Sequence, residues 1–156
     1  DPGAGAGRLR VAAVHRGSGR RVVFGAPGAP EAALADAVRA SRAAPWHCAP
    51  VMIGGREYVD GGVWSPTNLD AAPAGTGTRV LCLCPTGSSD GPLALWIRAA
   101  SRAAALLEAA ALRGRGAHVQ LLVPDAGSAA AIGRDPMAVE PLAAILAAGY
   151  AQGTGA

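Results

Sequence analysis

The motif Asp60-Gly61-Gly62 combines a carboxylate with two glycines, which suits general acid–base chemistry. Two glycines let the backbone turn away sharply and leave room for a substrate beside the carboxylate. A serine hydroxyl is a poor nucleophile at neutral pH, and a carboxylate within hydrogen-bond reach can accept its proton. Asp60 is therefore a candidate general base. Acidic residues also precede glycines in ordinary turns, so the triplet alone is weak evidence.

Ser89 has the Gly-x-Ser-x-Gly spacing of a nucleophile elbow, within Gly87–Gly91. An elbow places its serine on a tight turn that leads directly from a strand into a helix. Here two residues separate the strand from Gly87, and Pro92 follows the motif. The pattern therefore favours a loop and helix-capping role for Ser89. A self-contained hydrolase that uses Ser89 is a further hypothesis.

The elements around Asp60 are predicted from hydrophobic patterns. Residues 9–24 alternate, turn at HRGSGRR and return as an apolar run, which predicts a hairpin. Residues 30–44 have a helical pattern that begins with Pro-Glu and ends before Pro45. Residues 51–60, VMIGGREYVD, predict a second hairpin that turns at Gly-Gly. Asp60 then lies at the end of a strand, which holds its carboxylate in place.

The second half of the chain predicts alternating strands and helices. Residues 79–84 and 118–123 are nearly continuous apolar runs, typical of strands that helices bury on both faces. A long Ala/Leu helix over residues 92–112 connects them, with Trp96 expected in the core. Asp135 and Pro136 predict the N-cap and first turn of a final helix. Strand, helix, strand, helix indicates a parallel α/β sheet.

Residues 37–70 contain an Ala-x-x-Ala-Ser helix, a proline-containing turn, a glycine-turned hairpin and the Asp-Gly-Gly motif. This succession resembles the patatin-like phospholipase family, whose Asp completes a Ser/Asp catalytic dyad. The likeness covers residues 8–124 in outline and is specific only between 37 and 70. It implies that Asp60 is catalytic and that Gly61 and Gly62 lie beside the substrate.

The resemblance also implies a three-layer patatin-like α/β sandwich with a mainly parallel central sheet. This chain would supply its C-terminal portion, residues 8–150, between flexible segments at 1–7 and 151–156. The family's Gly-x-Ser-x-Gly serine and glycine-rich oxyanion loop lie upstream of the matched region. We therefore expect a heterodimer-like assembly with a Ser-bearing half, which is an N-terminal fragment of a cleaved precursor, a separately encoded subunit, or another segment of a longer protein that contains this chain. A sheet cut through its middle exposes strand edges and apolar faces that such a partner would cover.

Apolar side chains flank the Asp60 hairpin on both sides: Trp46, Met52, Trp64 and Leu69. They predict either core packing or an apolar wall for an acyl chain. His47 replaces part of an apolar stretch in the family's loop, so we expect it to line the pocket with Trp46 and Trp64. Asn68 and Asp70 match a family stretch that commonly supports the site by hydrogen bonds.

The function implied by the resemblance is hydrolysis of lipid or other acyl esters through an acyl-Ser intermediate. Patatin-like enzymes use no metal or organic cofactor, and we expect none here. The competing hypothesis is a degenerate, non-catalytic module that keeps Asp60 but binds lipid or protein. Three cysteines, two of them on one strand, disfavour a disulfide framework or a four-ligand zinc site, and we expect all three to be reduced and buried.

Composition excludes several other classes. The chain has 156 residues, is 51% hydrophobic and 16% charged, and so predicts a folded domain. All 14 basic residues are Arg, as in a GC-rich bacterial genome, and they are spread along the chain, which disfavours nucleic-acid binding. No apolar run reaches the ~20 residues of a membrane span and no secretory leader is evident. We expect a cytoplasmic protein, with peripheral membrane contact left open.

Overall fold

A computed structural model describes residues 9–88, 94–135 and 141–155 of the chain. The chain divides into two compact units, Asp1–Pro73 and Ala74–Ala156. The predictions for the flexible segment 1–7, for Ser89 and for a helix start at Pro136 lie outside the described residues.

The first unit contains a four-stranded sheet in the order β2-β1-β4-β3. Its strands are β1 (Val11–His15), β2 (Arg20–Phe24), β3 (Val51–Ile53) and β4 (Arg56–Asp60). Both predicted hairpins are present. Gly54 and Gly55 have φ values of 53° and 74°, as a two-residue hairpin turn requires.

This sheet is antiparallel, so the expected mainly parallel sheet is wrong for the first unit. All three of its strand pairings, β1–β2, β1–β4 and β3–β4, are antiparallel. A short turn reverses the chain, and short turns join β1 to β2 and β3 to β4, so these two pairs are antiparallel. The α/β class is confirmed, because the second unit adds a parallel pair.

Helix α1 (Leu34–Ser41) covers one face of the first sheet. It begins at Leu34 rather than at Pro30, because Ala33 keeps an extended backbone (φ −62°, ψ 140°). The core beneath it consists of two small helix residues, Ala37 and Ala40, packed against sheet residues: Ala13, Phe24, Ile53 and Tyr58. Phe24 and Tyr58 meet edge to face with ring centroids 5.1 Å apart, a favoured aromatic geometry.

The second unit is built on a parallel pair of strands, β5 (Arg79–Leu83) and β6 (His118–Leu122), joined by helix α2 (Leu95–Gly114). This confirms the predicted strand–helix–strand order. Two further helices follow, α3 (Ala126–Ile132) and α4 (Leu142–Thr154). Helix α3 was not expected from the sequence; Asp125 caps it by accepting a hydrogen bond from Ser128 N at 2.7 Å.

The prediction that helices bury both faces of these strands is wrong. Leu81 and Leu83 are 59% and 64% exposed, whereas Cys82 between them is buried. Alternation along a strand places the two leucines on the face opposite Cys82. Trp96, expected in the core, is 74% exposed. Helix α4 continues through Thr154, so four residues of the tail expected at 151–156 are helical.

No helix among the described residues is both long and apolar enough to cross a membrane.

The three cysteines are free thiols, and the expectation that all are buried is right for only two of them. Cys82 and Cys84 are 7% and 1% exposed, whereas Cys48 lies in an exposed loop. Burial is the main cause that raises the pKa of both Cys82 and Cys84 above the ordinary thiol value. Their thiolate, which is the reactive form, is therefore scarce at neutral pH.

We predict that iodoacetamide at pH 7.5 adds one group quickly, at Cys48, and reacts with Cys82 and Cys84 only slowly. Access favours Cys48, and the raised pKa values of the other two delay their reaction to more alkaline pH. Intact mass against time, followed by peptide mapping, measures this. All three should react together in denaturant, and equal rates in the folded protein would contradict the burial.

Candidate functional site

Asp60 is the last residue of β4 and is held by backbone contacts on two sides. Its register partner is Ala13 on β1. Its own N–H donates to the carbonyl of Ala43, in the chain segment that follows α1, at 3.0 Å. This bond connects the segment just after α1 to the end of β4. The helix and turn of the motif therefore fix the position of Asp60.

The Asp60 carboxylate is oriented by the turn that follows it. Residues Gly61–Val63 form a single 3-10 turn, and Asp60 Oδ1 accepts a hydrogen bond from Gly62 N at 2.6 Å. Within the described parts of the chain, Oδ2 accepts no hydrogen bond. The carboxylate is only partly buried. It is thus a carboxylate with one oxygen held by the turn and the other without a hydrogen-bond partner among the described residues.

The two glycines are required for different steric reasons. A Cβ on Gly61 would clash with the backbone oxygen of Ala12 and would lie 2.9 Å from its carbonyl carbon. A Cβ on Gly62 would lie 3.1 Å from Asp60 Oδ1. Gly61 therefore allows the turn to pack on β1, and Gly62 keeps the carboxylate uncrowded. Neither has a positive φ, so close approach rather than unusual backbone angles explains the motif.

The carbonyl of Gly61 is the centre of a small hydrogen-bond network. It accepts bonds from Trp64 N at 3.0 Å, from Ser65 N at 3.2 Å and from Asn68 Nδ2 at 3.0 Å. Asn68 also donates to the carbonyl of Ser65 at 2.6 Å and has a left-handed backbone (φ 46°), which asparagine tolerates well. Asn68 thus supports the segment after Asp60 by hydrogen bonds, as the sequence predicted.

Arg21 on β2 ties this segment to the sheet, and sequence reasoning missed it. Its guanidinium donates to both carboxylate oxygens of Asp70, at 2.6 and 2.7 Å. It also donates to Asn68 Oδ1 at 3.3 Å and lies over the ring of Trp64, 5.6 Å from its centroid. The bidentate pair is partly buried, with side chains 18% and 27% exposed. No local motif signals a partner 49 residues away in sequence.

The apolar residues predicted to flank Asp60 are mostly exposed. Trp46 is 99% exposed, Trp64 54% and Met52 60%, so core packing is wrong for these three and right only for Leu69. Trp46 also has a φ of 69°, which is unusual for a bulky residue. Trp46 and His47 lie just after Ala43, the backbone partner of Asp60.

His47 is exposed, and its Nδ1 lies 3.4 Å from the carbonyl of Pro45. Over the described ranges, neither Trp46 nor His47 makes a hydrogen bond or ring contact with Asp60. Their assignment to a substrate pocket stays a prediction. The described residues also contain no group of three or more His, Cys, Asp or Glu that could hold a metal ion.

The fold and site define an α/β protein with a carboxylate held between a strand end and a 3-10 turn. Residues 5–73 match the sequence model of the family Patatin-like phospholipase. The resemblance carried by the Asp60 motif is therefore confirmed over that region. The match ends where the first unit ends. A search of curated proteins found no match.

We predict that Gly61→Ala destabilises the protein by about 1–3 kcal/mol, because the added methyl group overlaps the Ala12 backbone, which cannot move without disturbing β1. Urea unfolding measures the change. The matched control is Gly17→Ala, where a Cβ would lie 3.5 Å from the His15 ring, an ordinary contact. Equal stability of the two variants would contradict the proposed close packing.

We also predict that Asp70→Asn lowers the free energy of unfolding by about 2 kcal/mol, because it removes a charged, bidentate and partly buried interaction with Arg21. The matched control is Asp36→Asn, which breaks the exposed Arg39–Asp36 pair and should cost less than about 0.5 kcal/mol. Chemical denaturation compares them. Similar losses in both variants would show that Arg21 does not anchor the segment.

Proposed function

We propose that Asp60 is the general base of a patatin-like Ser/Asp hydrolase that cleaves lipid or other acyl esters. A Ser-bearing N-terminal fragment or subunit supplies the nucleophile. The observation that carries this proposal is the Asp60 carboxylate, held by Gly62 N at the end of β4 within the region that matches the family. Gly61, Gly62, Trp46, His47 and Trp64 are the proposed substrate contacts.

In the proposed reaction, Asp60 accepts the proton of the serine hydroxyl as the serine oxygen attacks the ester carbonyl carbon. The protonated Asp60 then gives this proton to the leaving alkoxide, which departs as an alcohol and leaves an acyl-Ser intermediate. A water molecule then attacks this intermediate and loses its proton to Asp60. Asp60 passes this proton to the serine oxygen as the acyl–serine bond breaks, which releases the acid and restores both the serine hydroxyl and the carboxylate. The hydrogen bond from Gly62 keeps the carboxylate oriented through both steps.

Two features support a serine that residues 1–156 do not provide. Within these residues the Gly-x-Ser-x-Gly spacing occurs only at Ser89, which follows Asp60 in the chain and lies outside the described residues. Apolar side chains near Asp60 are also exposed: Trp46 at 99%, Val63 at 56% and Trp64 at 54%. Exposed apolar side chains of this kind suit contact with an acyl chain or a protein partner.

The alternative function is a non-catalytic module that binds lipid or protein. It is favoured by the capping role of the Asp60 carboxylate, which stabilises the turn whether or not catalysis occurs. Asp60→Asn separates the two functions, because the asparagine Oδ1 can still accept the hydrogen bond from Gly62. The fold is retained while the general base is lost.

We predict that Asp60→Asn lowers ester hydrolysis by about 10²- to 10⁴-fold in the complex with the Ser-bearing partner. A p-nitrophenyl fatty acyl ester provides the assay, and the thermal unfolding midpoint checks the fold. Asp36→Asn, which alters an exposed carboxylate in α1, is the control and should keep full activity.

Fluorophosphonate labelling followed by intact mass identifies the nucleophile. A label on a co-purifying polypeptide supports the proposal. A label on this chain that Ser89→Ala removes indicates a self-contained hydrolase instead. If no polypeptide is labelled and Asp60→Asn still binds lipid as the parent does, the protein is a binding module.

A further inference from the structure

The second unit contains a pocket of about 480 Å³ where its two parallel strands begin. Three residues with cationic or N–H-donating side chains line it, Arg79, Arg113 and His118, and none of the described residues that line it is acidic. A volume of this size is typical of sites for small ligands. The pocket lies outside the region that matches the family, and the proposed dyad chemistry does not use it.

Arg79 and His118 are neighbours on one face of the β5–β6 pair. They are register partners at the first positions of the two strands, and neighbouring strands lie about 4.8 Å apart. Both side chains are exposed. Alternation along each strand places them on the same face as the next pair, Leu81 and Gln120, which also line the pocket. Four side chains from two strands thus form one continuous surface.

Backbone hydrogen bonds hold the two strands together at this end. Gly77 N donates to the carbonyl of Gly116 at 3.1 Å, and His118 N donates to the carbonyl of Thr78 at 2.8 Å. The backbone spacing between Arg79 and His118 is therefore fixed by the fold. A site whose backbone is already ordered loses less conformational freedom when a ligand binds.

The donor groups of this surface have no intramolecular acceptor. Within the described residues, the side chains of Arg79, His118 and Gln120 make no ion pair or hydrogen bond. Arg113, in the last turn of α2, donates from Nη2 to the carbonyl of Val119 at 2.8 Å, which holds its guanidinium beside β6. Two arginines thus bring positive charge to the pocket, and no carboxylate of its described lining neutralises them.

This set of donors suits a phosphate group. A guanidinium can donate two parallel N–H bonds to two phosphate oxygens, and the His118 imidazole and the Gln120 amide can each donate another. A phosphate monoester carries about −1.5 to −2 charges at neutral pH, which two arginines balance. Leu81, 59% exposed beside Gln120, offers apolar surface to an organic substituent of the phosphate.

We propose that this pocket binds a small organic phosphate monoester. Its phosphate lies between Arg79 and His118, where Gln120 donates a further hydrogen bond, and its organic part lies against Leu81. Arg113 contributes charge from the side of β6. The proposal is independent of the Ser/Asp chemistry and assigns a ligand to the part of the chain that follows the family match.

Isothermal calorimetry of the full chain with phenyl phosphate, at pH 7.5 and low ionic strength, tests this proposal. We expect saturable binding, at least threefold tighter than that of inorganic phosphate because of the contact with Leu81. Arg79→Met should weaken it at least tenfold. Arg79→Lys should give an intermediate affinity, because lysine keeps the charge but lacks the planar fork of donors.

Gln120→Glu is a second, nearly isosteric variant of an exposed residue, so the fold is retained. It replaces a donor by a like charge and should also weaken binding at least tenfold. The control is Arg102→Met, which removes an exposed arginine of α2 that does not line the pocket and should leave the affinity unchanged. A loss in Arg102→Met equal to that in Arg79→Met would show attraction to net charge alone and overturn the proposal.

Three further outcomes overturn it. They are no saturable binding by the parent chain, parental affinity in folded Gln120→Glu, and inorganic phosphate that binds as tightly as phenyl phosphate, which shows a free-phosphate site. Binding to phosphatidic acid vesicles without binding to phenyl phosphate indicates a membrane surface instead and also overturns it. The assay needs no turnover, so an inactive Asp60 dyad leaves its outcome unchanged.

Discussion

The contact between Gly61 and the backbone of Ala12 is the constraint on which the geometry around Asp60 depends. Because no side chain separates the two backbones, the chain can turn immediately after β4 and return across β1. The carbonyl of Gly61 is thereby placed where three donors meet it, two from the backbone and one from Asn68. A buried carbonyl with several partners resists displacement, since moving it would break all of them. Because Asp60 is bonded directly to Gly61, its backbone is held in place as well.

Arg21 extends the same rigidity to residues far from Asp60 in sequence. It connects β2 with Asn68, Asp70 and the ring of Trp64. Arginine suits this task because its planar guanidinium can pair with a carboxylate while one face lies on an aromatic ring. The segment after the 3-10 turn has little regular structure of its own, so these side-chain contacts replace the backbone ladders of a sheet.

Local patterns predicted the first unit well. The two hairpins, the Gly54-Gly55 turn and the position of Asp60 depend on interactions between neighbours in sequence. The start of α1, the role of Arg21 and the exposure of Trp46 were not predicted, because each depends on contacts or backbone angles that no short window encodes. The apolar run at β5 predicted burial on both faces, yet hydrophobicity alone does not say what covers a strand.

The open face of the β5–β6 pair has a consequence for the behaviour of the chain in solution. Leu81, Leu83 and Leu122 present apolar surface, and each strand has one edge without a neighbour among the described residues. Such edges template further strands, and the stretch at β5 has little charge to oppose stacking. The parallel pair can also form only after its crossover helix has been synthesised, so the apolar strands stay exposed for longer during folding. Recovery of monomer should therefore decrease as protein concentration rises, because association of chains through this face is second order in protein.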